Sequence, residues 1–527
     1  MFKKIKQKIQ PNEEKPKYNP PKIPISPFKN DFIDELNKIV HSPADLVIRY
    51  VTNNITIAFI DGLVDTQSLN EKILSRFEDT SQETPSTLRE RLSIPEVDVF
   101  NEMMKSIDEM LIGGVLIHIN GYSEILISKI PSFEKRSLSA PENESQVIGT
   151  QVGFNESINT NISLIRRFIS NPNLCNEQFT LGKETRTTVS VLYIHGIVDE
   201  KHVNTVRQRI EDLDIADLID SAILSELLDD SSSSIFPQTL LTERPDRFCD
   251  GLLTGKVGII VNGSSMGIIC PFTFLEFFQS REDQNLRWPI ASFIRILRFI
   301  AVIVSTFFTP IYVASLTFHY EVIPQPMLVP LSESRAIVPF PPIIEALFLE
   351  LVIELLREAG ARLPTKVGQT IGIVGGIVIG TAAVQAGITS NILIIIVALG
   401  ALASFTTPNY MMGNVIRIIR FPIIVLAGFW GYYGIMLAFC FLLIHLLKQS
   451  SLGAPYLAPF YPPRLRDWPD SIVRLPLPYI SKHSVNSRSR KEIQKNKQKK
   501  NNNKNNQKQN QDTAQNLTPE NKEKVIE

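Results

Sequence analysis

No charged side chain interrupts residues 367–416, VGQTIGIVGGIVIGTAAVQAGITSNILIIIVALGALASFTTPNYMMGNVI. This stretch is too long for one bilayer crossing, which takes about 20 apolar residues, and the sequence Gly387-Ile-Thr-Ser-Asn391 divides it in two. Two more uncharged apolar runs flank it, Phe299–Phe318 and Phe421–Ile444. Because unpaired charge is costly in a bilayer, the pattern predicts an α-helical polytopic membrane domain in the C-terminal half.

The N-terminal half has a different composition, rich in charged and polar residues. Its opening residues, Met1-Phe-Lys-Lys, lead into more Lys, Gln, Pro and Glu and not into an apolar signal-peptide core. We therefore expect this half to be made and kept in the cytosol. The four cysteines lack CxxC spacing, which predicts reduced thiols and neither a zinc site nor a disulfide framework.

An internal repeat organises the polar half. The run Ile55-Thr-Ile-Ala-Phe-Ile-Asp-Gly62-Leu-Val-Asp65 is matched by Val189-Ser-Val-Leu-Tyr-Ile-His-Gly196-Ile-Val-Asp199. Each copy continues to an Asn-Gly pair between apolar runs, at Asn120-Gly121 and Asn262-Gly263, and such a pair is a strong hairpin signal. The repeat predicts two copies of one small α/β unit.

These patterns divide the chain into seven predicted regions. They are a flexible arm (1–43), a first α/β unit (44–137), a connector (138–185), a second α/β unit (186–287), a membrane domain of four to five helices (288–450), a Pro- and aromatic-rich membrane-proximal segment (451–483) and a disordered Lys/Asn-rich tail (484–527). The tail is either simply solvated or in contact with anionic lipid headgroups.

Acidic residues cluster on one side of the helix predicted over Ile343–Arg362. Glu350, Glu354 and Glu358 fall on this face at 100° per residue, whereas Glu345 points the other way. In an oligomer around an axis, rings of these carboxylates would line a cation pathway. Alternatively the helix is interfacial, and Glu354/Arg357 and Glu358/Arg362 neutralise one another. Both hypotheses stay open.

The next helix carries glycine every fourth residue, at Gly372, Gly376 and Gly380. Such a face lets another helix approach closely, so we expect helix packing there. Gln369 is either an interhelical hydrogen-bonding group or a fifth candidate for the ion pathway, beside Glu345, Glu350, Glu354 and Glu358.

The side of the membrane reached by each end depends on how the Glu-rich helix is counted. Arginines precede the first crossing, which puts the N-terminal region in the cytosol. With the Glu-rich helix as a full span there are five crossings and an external tail; with it as re-entrant there are four and both ends are inside. We favour both ends inside, although this leaves Arg417 and Arg420 on the outer side.

The sequence carries no catalytic motif that we can support. Gly251-Leu-Leu-Thr-Gly255-Lys256-Val257 is one residue short of P-loop spacing, and Val257 replaces the Ser/Thr that would hold magnesium. His195 is a strand-end histidine matched by Asp61 in the other copy, and no motif in the sequence marks it as a base. We expect no enzyme activity, no cofactor, no metal and no nucleic-acid partner.

Three stretches together resemble the A subunit of GerA-type spore germination receptors, from about Ala44 to Lys482. The first is the connector motif, with its residues Gly149, Gly153, Phe154, Glu156, Asn161, Arg166 and Arg167. The second is Pro339-Phe-Pro-Pro-Ile-Ile-Glu345 with Glu354-Leu-Leu-Arg357-Glu358-Ala-Gly360. The third runs from Gly368-Gln369 to Gly387. Where the family often has Arg-Gly-Pro-Arg, this chain has Ile148-Gly149-Thr150-Gln151.

The resemblance implies a subunit of a nutrient-sensing complex in the spore inner membrane. Its partners would be a transporter-like B subunit that binds the germinant and a C lipoprotein, and the A subunit would oligomerise into a germinant-gated cation channel. The alternative is a non-conducting scaffold that assembles these partners. A secondary transporter would have inverted repeats in the membrane half, and we find repeats only in the polar half.

Overall fold

The computed structural model describes residues 23–77, 84–92, 97–132, 140–141, 144–362, 376, 378–464 and 471–476. The first 22 residues of the predicted arm, the predicted tail (484–527), Gln369 and Gly372 lie outside this range. The chain divides into two compact units, one of Met1–Ser137 and Ile162–Glu177 and the other of Leu138–Asn161 and Gln178–Glu527.

The first unit is built on a five-stranded antiparallel sheet with strand order β1-β2-β4-β5-β3. Its elements are α1 (Lys29–Val40), β1 (Leu46–Tyr50), β2 (Ile55–Ile60), α2 (Thr66–Lys72), α3 (Pro85–Arg91), β3 (Val97–Phe100), α4 (Met103–Met110), β4 (Gly114–Ile119) and β5 (Ile125–Lys129). Strands β2 and β4 are buried along their whole length, since helices cover both faces of the sheet.

Each face of this sheet has its own core. On one face, Ala58, Ile60 and Leu116 pack with Phe32 and Leu36 of α1. On the other, the cluster joins strand residues to helix residues, namely Ile57, Phe59 and Val115 to Leu69 of α2 and Leu88 of α3. Continuous apolar strands, without polar alternation, follow from this arrangement.

The second sheet repeats the topology of the first, with strand order β6-β7-β9-β10-β8. The elements are α5 (Ile158–Phe168), β6 (Leu174–Leu181), β7 (Thr187–Ile194), α6 (Glu200–Asp212), α7 (Ser221–Leu228), β8 (Leu240–Thr242), α8 (Pro245–Leu253), β9 (Val257–Val261) and β10 (Gly267–Cys270). The shared order confirms the two repeated α/β units. The sheet begins at Leu174, inside the range 138–185 that the sequence analysis treats as connector.

Matched glycines explain why the repeat can be recognised in the sequence. Gly62 and Gly196 follow β2 and β7 with φ of 78° and 79°, and Gly121 and Gly263 follow β4 and β9 with φ of 95° and 90°. Only glycine adopts these values without strain. The turns that end the corresponding strands are therefore fixed by the same residue type in both copies.

Helices follow the second sheet along the chain. They are α9 (Glu282–Asn285), α10 (Trp288–Thr317), α11 (Gln325–Arg335), α12 (Pro342–Arg362), α13 (Asn391–Ser404) and α14 (Tyr410–Lys448), and residues 378–385 are also helical. Among the described residues, α10 and α14 are long and apolar enough to cross a membrane, and α13 is a shorter apolar helix. The predicted helical C-terminal half is confirmed as a helical region with apolar helices.

Helix α14 is a hairpin, divided at Gly431, whose φ of 59° and ψ of −137° are not helical. Arg420 contacts Ser305 of α10 and Phe439 contacts Phe307, although a straight helix would place residues 420 and 439 roughly 28 Å apart. The second arm, 432–448, therefore folds back along the first, 410–430. The sequence analysis counts the run Phe421–Ile444 as one helix, because apolarity alone carries no signal of a reversal.

Candidate functional site

A buried ion pair joins three helices of the second unit. The Glu350 Oε2 of α12 lies 2.5 Å from Arg420 Nη1 of α14, and both side chains are 2% exposed. Thr309 of α10 donates a hydrogen bond to Glu350 Oε1 at 2.9 Å, and Arg420 Nη2 donates to Ser305 Oγ at 3.3 Å. Charge-assisted bonds of this kind are strong, and removing one partner leaves an uncompensated buried charge.

A second pair lies beside the first, one turn further along α12. Glu354 is four residues after Glu350 and Arg417 three before Arg420, so in each helix the two charges share a face. Because the first arm of α14 runs antiparallel to α12, Glu354 Oε1 comes 3.4 Å from Arg417 Nε. We call these two interhelical pairs the charge ladder. Glu354 is 30% exposed, so the ladder becomes more accessible toward this end.

Helical spacing in the sequence predicts these glutamates on one face but does not reveal their partners. The pair predicted within the helix is Glu354/Arg357, whereas the structure brings Glu354 to Arg417, and the Arg357 guanidinium lies 4.7 Å from the centre of the Phe405 ring. Arg420, Thr309 and Ser305 received no role. The only available signal was two arginines three residues apart in an otherwise apolar stretch, which calls for buried acidic partners.

The other two glutamates of α12 lie in different surroundings. Glu345 is buried, and its Oε1 lies 2.8 Å from Arg335 Nη2 while its Oε2 accepts a hydrogen bond from Ser390 N. Glu358 is exposed and pairs with Arg362 at 2.5 Å, at the spacing that the interfacial hypothesis uses. The structure thus separates Glu345 and Glu358 from the charge ladder.

Gly376 and Gly380, the two described glycines of the predicted packing face, make no close contact with other described residues. A Cβ added to Gly376 or Gly380 would meet no atom within 4 Å. The helix-packing assignment of this face stays a prediction.

Most residues of the connector motif hold the backbone of the second unit. Phe154 is buried edge-on against Phe248 with ring centres 5.4 Å apart, and Asn161 bridges both backbone groups of Asn155. Gly149 has φ of 146°, Gly153 is buried, and Glu156 exposes its side chain while its carbonyl accepts from Gly263 N. These contacts are structural.

The two arginines of the motif point to different partners within the first unit. Arg166 makes a two-point ion pair with Asp45, at 2.8 Å from Nε and 2.9 Å from Nη2, and it is fully buried. Exposed Arg167 donates to the Ser132 carbonyl at 2.6 Å. Asp45 also accepts from Asn176. Sequence reasoning missed Asp45, which lies 121 residues from Arg166.

A third charged group fixes the base of α10. Arg298 bonds both carboxylate oxygens of Asp283, at 3.1 and 3.3 Å, and the Phe278 carbonyl at 2.6 Å. Arg295 Nε lies 3.4 Å from the same carboxylate. In the sequence, both arginines precede the first apolar run and indicate only topology. In the structure they anchor α10 to the segment that leads out of the second sheet.

The described residues contain no group of three or more His, Cys, Asp or Glu side chains placed to hold a metal ion. Cys175, Cys249 and Cys270 are buried and Cys440 is exposed, and none of the four forms a disulfide. Burial raises the pKa of Cys270 to about 12 and also raises that of Cys249. These two thiols are therefore protonated and unreactive near neutral pH.

Comparisons with known proteins agree on one family. The family model described as Bacillus/Clostridium GerA spore germination protein matches residues 34–486. The spore germination protein GerQA of Bacillus cereus is 42% identical over 90% of this chain and 97% of its own length. The spore germination protein KA of Bacillus subtilis is 39% identical over 86% of this chain and 85% of its own.

The chain is also similar to a solved structure, the crystal structure of the N-terminal domain of the A subunit of the Bacillus megaterium spore germinant receptor GerK3. It is 24% identical, covers 48% of this chain and 99% of that domain, and superposes with a TM-score of 0.39. The family match and the full-length relatives confirm the resemblance carried by the connector, Glu-rich and glycine-rich stretches. The chain belongs to the GerA family of Bacillus and Clostridium spore germination proteins.

Proposed function

We propose that this chain is a subunit of a nutrient-responsive germination receptor in the spore inner membrane. In this proposal it assembles with a transporter-like B subunit and a C lipoprotein, oligomerises, and forms a cation channel that opens when germinant binds. The germination proteins to which it is similar over nearly their full length support the receptor role. The apolar helices α10 and α14 support a place in the membrane.

The observation that carries the channel proposal is the Glu350–Arg420 pair. Glu350 and Arg420, both shielded from water, lie where α10, α12 and α14 meet. In this buried environment the attraction between the two charges is strong. A Glu350 carboxylate that is paired with Arg420 is not available to bind a cation. In this proposal the arrangement is the closed state of the channel, and opening exchanges Arg420 for water or a cation at Glu350.

The ends of the helical region support a topology with both ends on one side. Arg298 near the start of α10 bonds Asp283, and His445 near the end of α14 lies 3.0 Å from Ser234. Both partners belong to the polar segment that precedes α10. A membrane region that begins and ends beside the same segment would cross an even number of times, and the arginines before α10 support a cytosolic location for that side.

The alternative function is a non-conducting scaffold. Complete neutralisation of Glu350 favours it, because a buried pair with two additional hydroxyl partners is also a means of fixing how three helices pack. Under this alternative the charge ladder contributes to assembly alone.

Potassium efflux from liposomes distinguishes the two functions. The vesicles would hold this chain with its B and C partners, and a mixture of amino acids, sugars and nucleosides would be added as the nutrient probe. A channel gives efflux after addition. Glu350→Gln, which leaves Arg420 unpaired, should raise efflux before addition, and Glu354→Gln should change the rate of efflux after it.

Two controls make the outcome decisive. Glu358→Gln removes an exposed charge from the same helix and should leave efflux unchanged. The double variant Glu350→Gln/Arg420→Gln removes both buried charges and should assemble, yet lose the dependence on nutrient. Complexes that co-purify and bind nutrient but release no potassium in any variant would refute the channel and leave the scaffold.

A further inference from the structure

The chain that follows α14 returns to the second α/β unit. Residues 449–458, the C-terminal strap, lie against the loop 229–238 that connects α7 to β8, and only Gln449 separates Lys448, the last residue of α14, from the strap's first contact at Ser450. His445 in the last turns of α14 already touches this loop, 3.0 Å from Ser234. The second arm of α14 is thus continuous with the strap.

Asp230 is the centre of the contact between strap and loop. Its Oδ2 accepts hydrogen bonds from the Ser450 hydroxyl and, at 2.9 Å, from Gly453 N. Its Oδ1 accepts from Arg209 Nη2 of α6 at 2.6 Å. One carboxylate therefore ties the strap to a helix of the second α/β unit.

Further bonds hold the strap on both sides of Asp230. Ser451 Oγ donates to the Gln238 carbonyl at 2.6 Å, and the Tyr456 hydroxyl donates to the Pro237 carbonyl at 2.7 Å. Leu452 joins the apolar core of the second sheet. Tyr456 is fully buried. The strap is consequently an integral part of this unit and not a loose continuation of the helix.

The helix bundle is tied to the second α/β unit at two places that differ in kind. At α10 the connection is covalent and short, reinforced by Arg298 and Asp283. At the second arm of α14 it depends on the strap and on His445. Phe307 of α10 packs against Phe439 of that arm. Because the arm continues directly into the strap, sliding of the arm along α10 would pull on the bound strap.

We propose that the C-terminal strap transmits movement between the second α/β unit and the second arm of α14, and that Asp230 holds it in place. The inference deepens the proposed receptor function, yet it concerns a mechanical link that exists whether or not the chain conducts ions. Its test therefore uses the full chain without nutrient and without a flux measurement.

The first measurement is hydrogen–deuterium exchange of the full chain in nanodiscs. Asp230→Ala removes the acceptor of three hydrogen bonds, so exchange in the strap and in loop 229–238 should become at least about tenfold faster. Strands β7 and β9 should keep their protection. Asp214→Ala is the matched control, since Asp214 pairs with Lys183 on the surface of the same unit and both side chains are exposed.

The second measurement follows the arm itself. Cys440 is exposed in the second arm and the other three cysteines are buried, so it accepts a spin label; a second label goes on Ala222→Cys, at an exposed position of α7. The labelled chain is diluted into unlabelled Cys440→Ser chain. Double electron–electron resonance should give a narrow distribution of distances between the two labels. This distribution should broaden in Asp230→Ala and stay narrow in Asp214→Ala.

Three results would overturn the proposal. Unchanged exchange in the strap of Asp230→Ala would mean that Asp230 does not hold it. Faster exchange without a broader distance distribution would mean that the strap does not position the arm. If Asp230→Ala instead speeds exchange in β7 and β9, Asp230→Asn is used in its place, because it keeps an acceptor for Gly453 N. If exchange in β7 and β9 is as fast in Asp230→Asn as in Asp230→Ala, Asp230 acts only in the stability of the sheet.

Discussion

Glu350 Oε2 and Arg420 Nη1 lie 2.5 Å apart although 70 residues separate them in the chain. Neither side chain reaches water, so each provides most of the compensation for burying the other. Thr309 and Ser305 complete the group from the neighbouring helix. The packing of α10, α12 and α14 and the charge state of this pair are therefore linked.

That linkage predicts unequal effects of single and double substitutions. Glu350→Gln should destabilise the helix bundle by roughly 3–5 kcal/mol, because Arg420 is left charged and buried. Glu350→Gln/Arg420→Gln should recover most of this loss. Thermal unfolding of the purified chain in detergent measures both, with Glu358→Gln expected within about 0.5 kcal/mol of the parent. A double variant as unstable as the single one would show that the hydroxyl partners and not the charges matter.

Arg166 and Arg167 are adjacent but should differ sharply in effect. Arg166→Ala leaves the Asp45 carboxylate buried beside Asn176 without its cation, which predicts a loss of roughly 3–5 kcal/mol in the first unit. Arg167→Ala removes one bond of an exposed side chain and should cost less than about 1 kcal/mol. Native-state hydrogen exchange of β1 and β2 in the full chain reports the difference. Similar losses in both variants would contradict the assignment.

Gly431 should tolerate no side chain. Its φ of 59° and ψ of −137° strain any other residue, and a Cβ there would collide with the His319 ring. Gly431→Ala should therefore open the α14 hairpin and lower the amount of chain recovered from membranes. Gly413→Ala is the control in the same helix, because its Cβ would meet only Thr407, at 3.9 Å. Normal recovery of Gly431→Ala would argue against the hairpin.

The strap should loosen as pH rises, owing to Asp229. Burial first, and then Asp230 and Glu226, raise the pKa of Asp229 to about 7, against the opposing effect of Arg209 and a hydrogen bond from Gln238. The bound strap favours the neutral form of the Asp229 carboxyl. The contribution of Asp229 to the stability of the bound strap is therefore full below pH 3.8 and is lost as the pH rises through about 7. From pH 6 to pH 8, the equilibrium constant for opening of the strap should increase about tenfold.

Hydrogen exchange in the strap, corrected for the intrinsic effect of pH, measures this change. Cys270 and Tyr456, which face Asp229, stay protonated in this range, since burial raises the pKa of Cys270 to about 12 and raises that of Tyr456. Bonds from Ser450, Gly453 and Arg209 outweigh burial and lower the pKa of Asp230, which stays ionised. His445→Gln in every chain removes the remaining nearby imidazole. Asp229→Asn should abolish the pH dependence, and persistence of the slope would assign it elsewhere.

Local patterns in the sequence predicted the repeated sheets, because the features that carry them are close together in the chain. An apolar strand followed by a glycine with positive φ is visible at Gly62 and again at Gly196. The common strand order then follows from two similar sequences folding alike. Strand β6 escaped this comparison, since the repeated motif begins only at β7 and nothing in Leu174–Leu181 marks it as the edge of the second sheet.

The acidic face of α12 was also predictable, whereas its partners were not. Helical spacing fixes which side Glu350 and Glu354 occupy, but it contains no information on which helix faces that side. Arg417 and Arg420 reach it because the first arm of α14 packs antiparallel to α12. Asp230 is a similar case, as its partners at Ser450 and Gly453 lie more than 200 residues away.

The sequence by itself thus determined the class of this protein, a pair of repeated α/β units followed by apolar helices, because hydrophobic periodicity and turn glycines act over a few residues. Only the tertiary structure decided which charges meet: Glu350 with Arg420, Arg166 with Asp45, and Asp230 with the strap. The physical reason is that a buried charge is stable only beside an opposite charge or hydrogen-bonding groups, and the fold brings these together from distant parts of the chain.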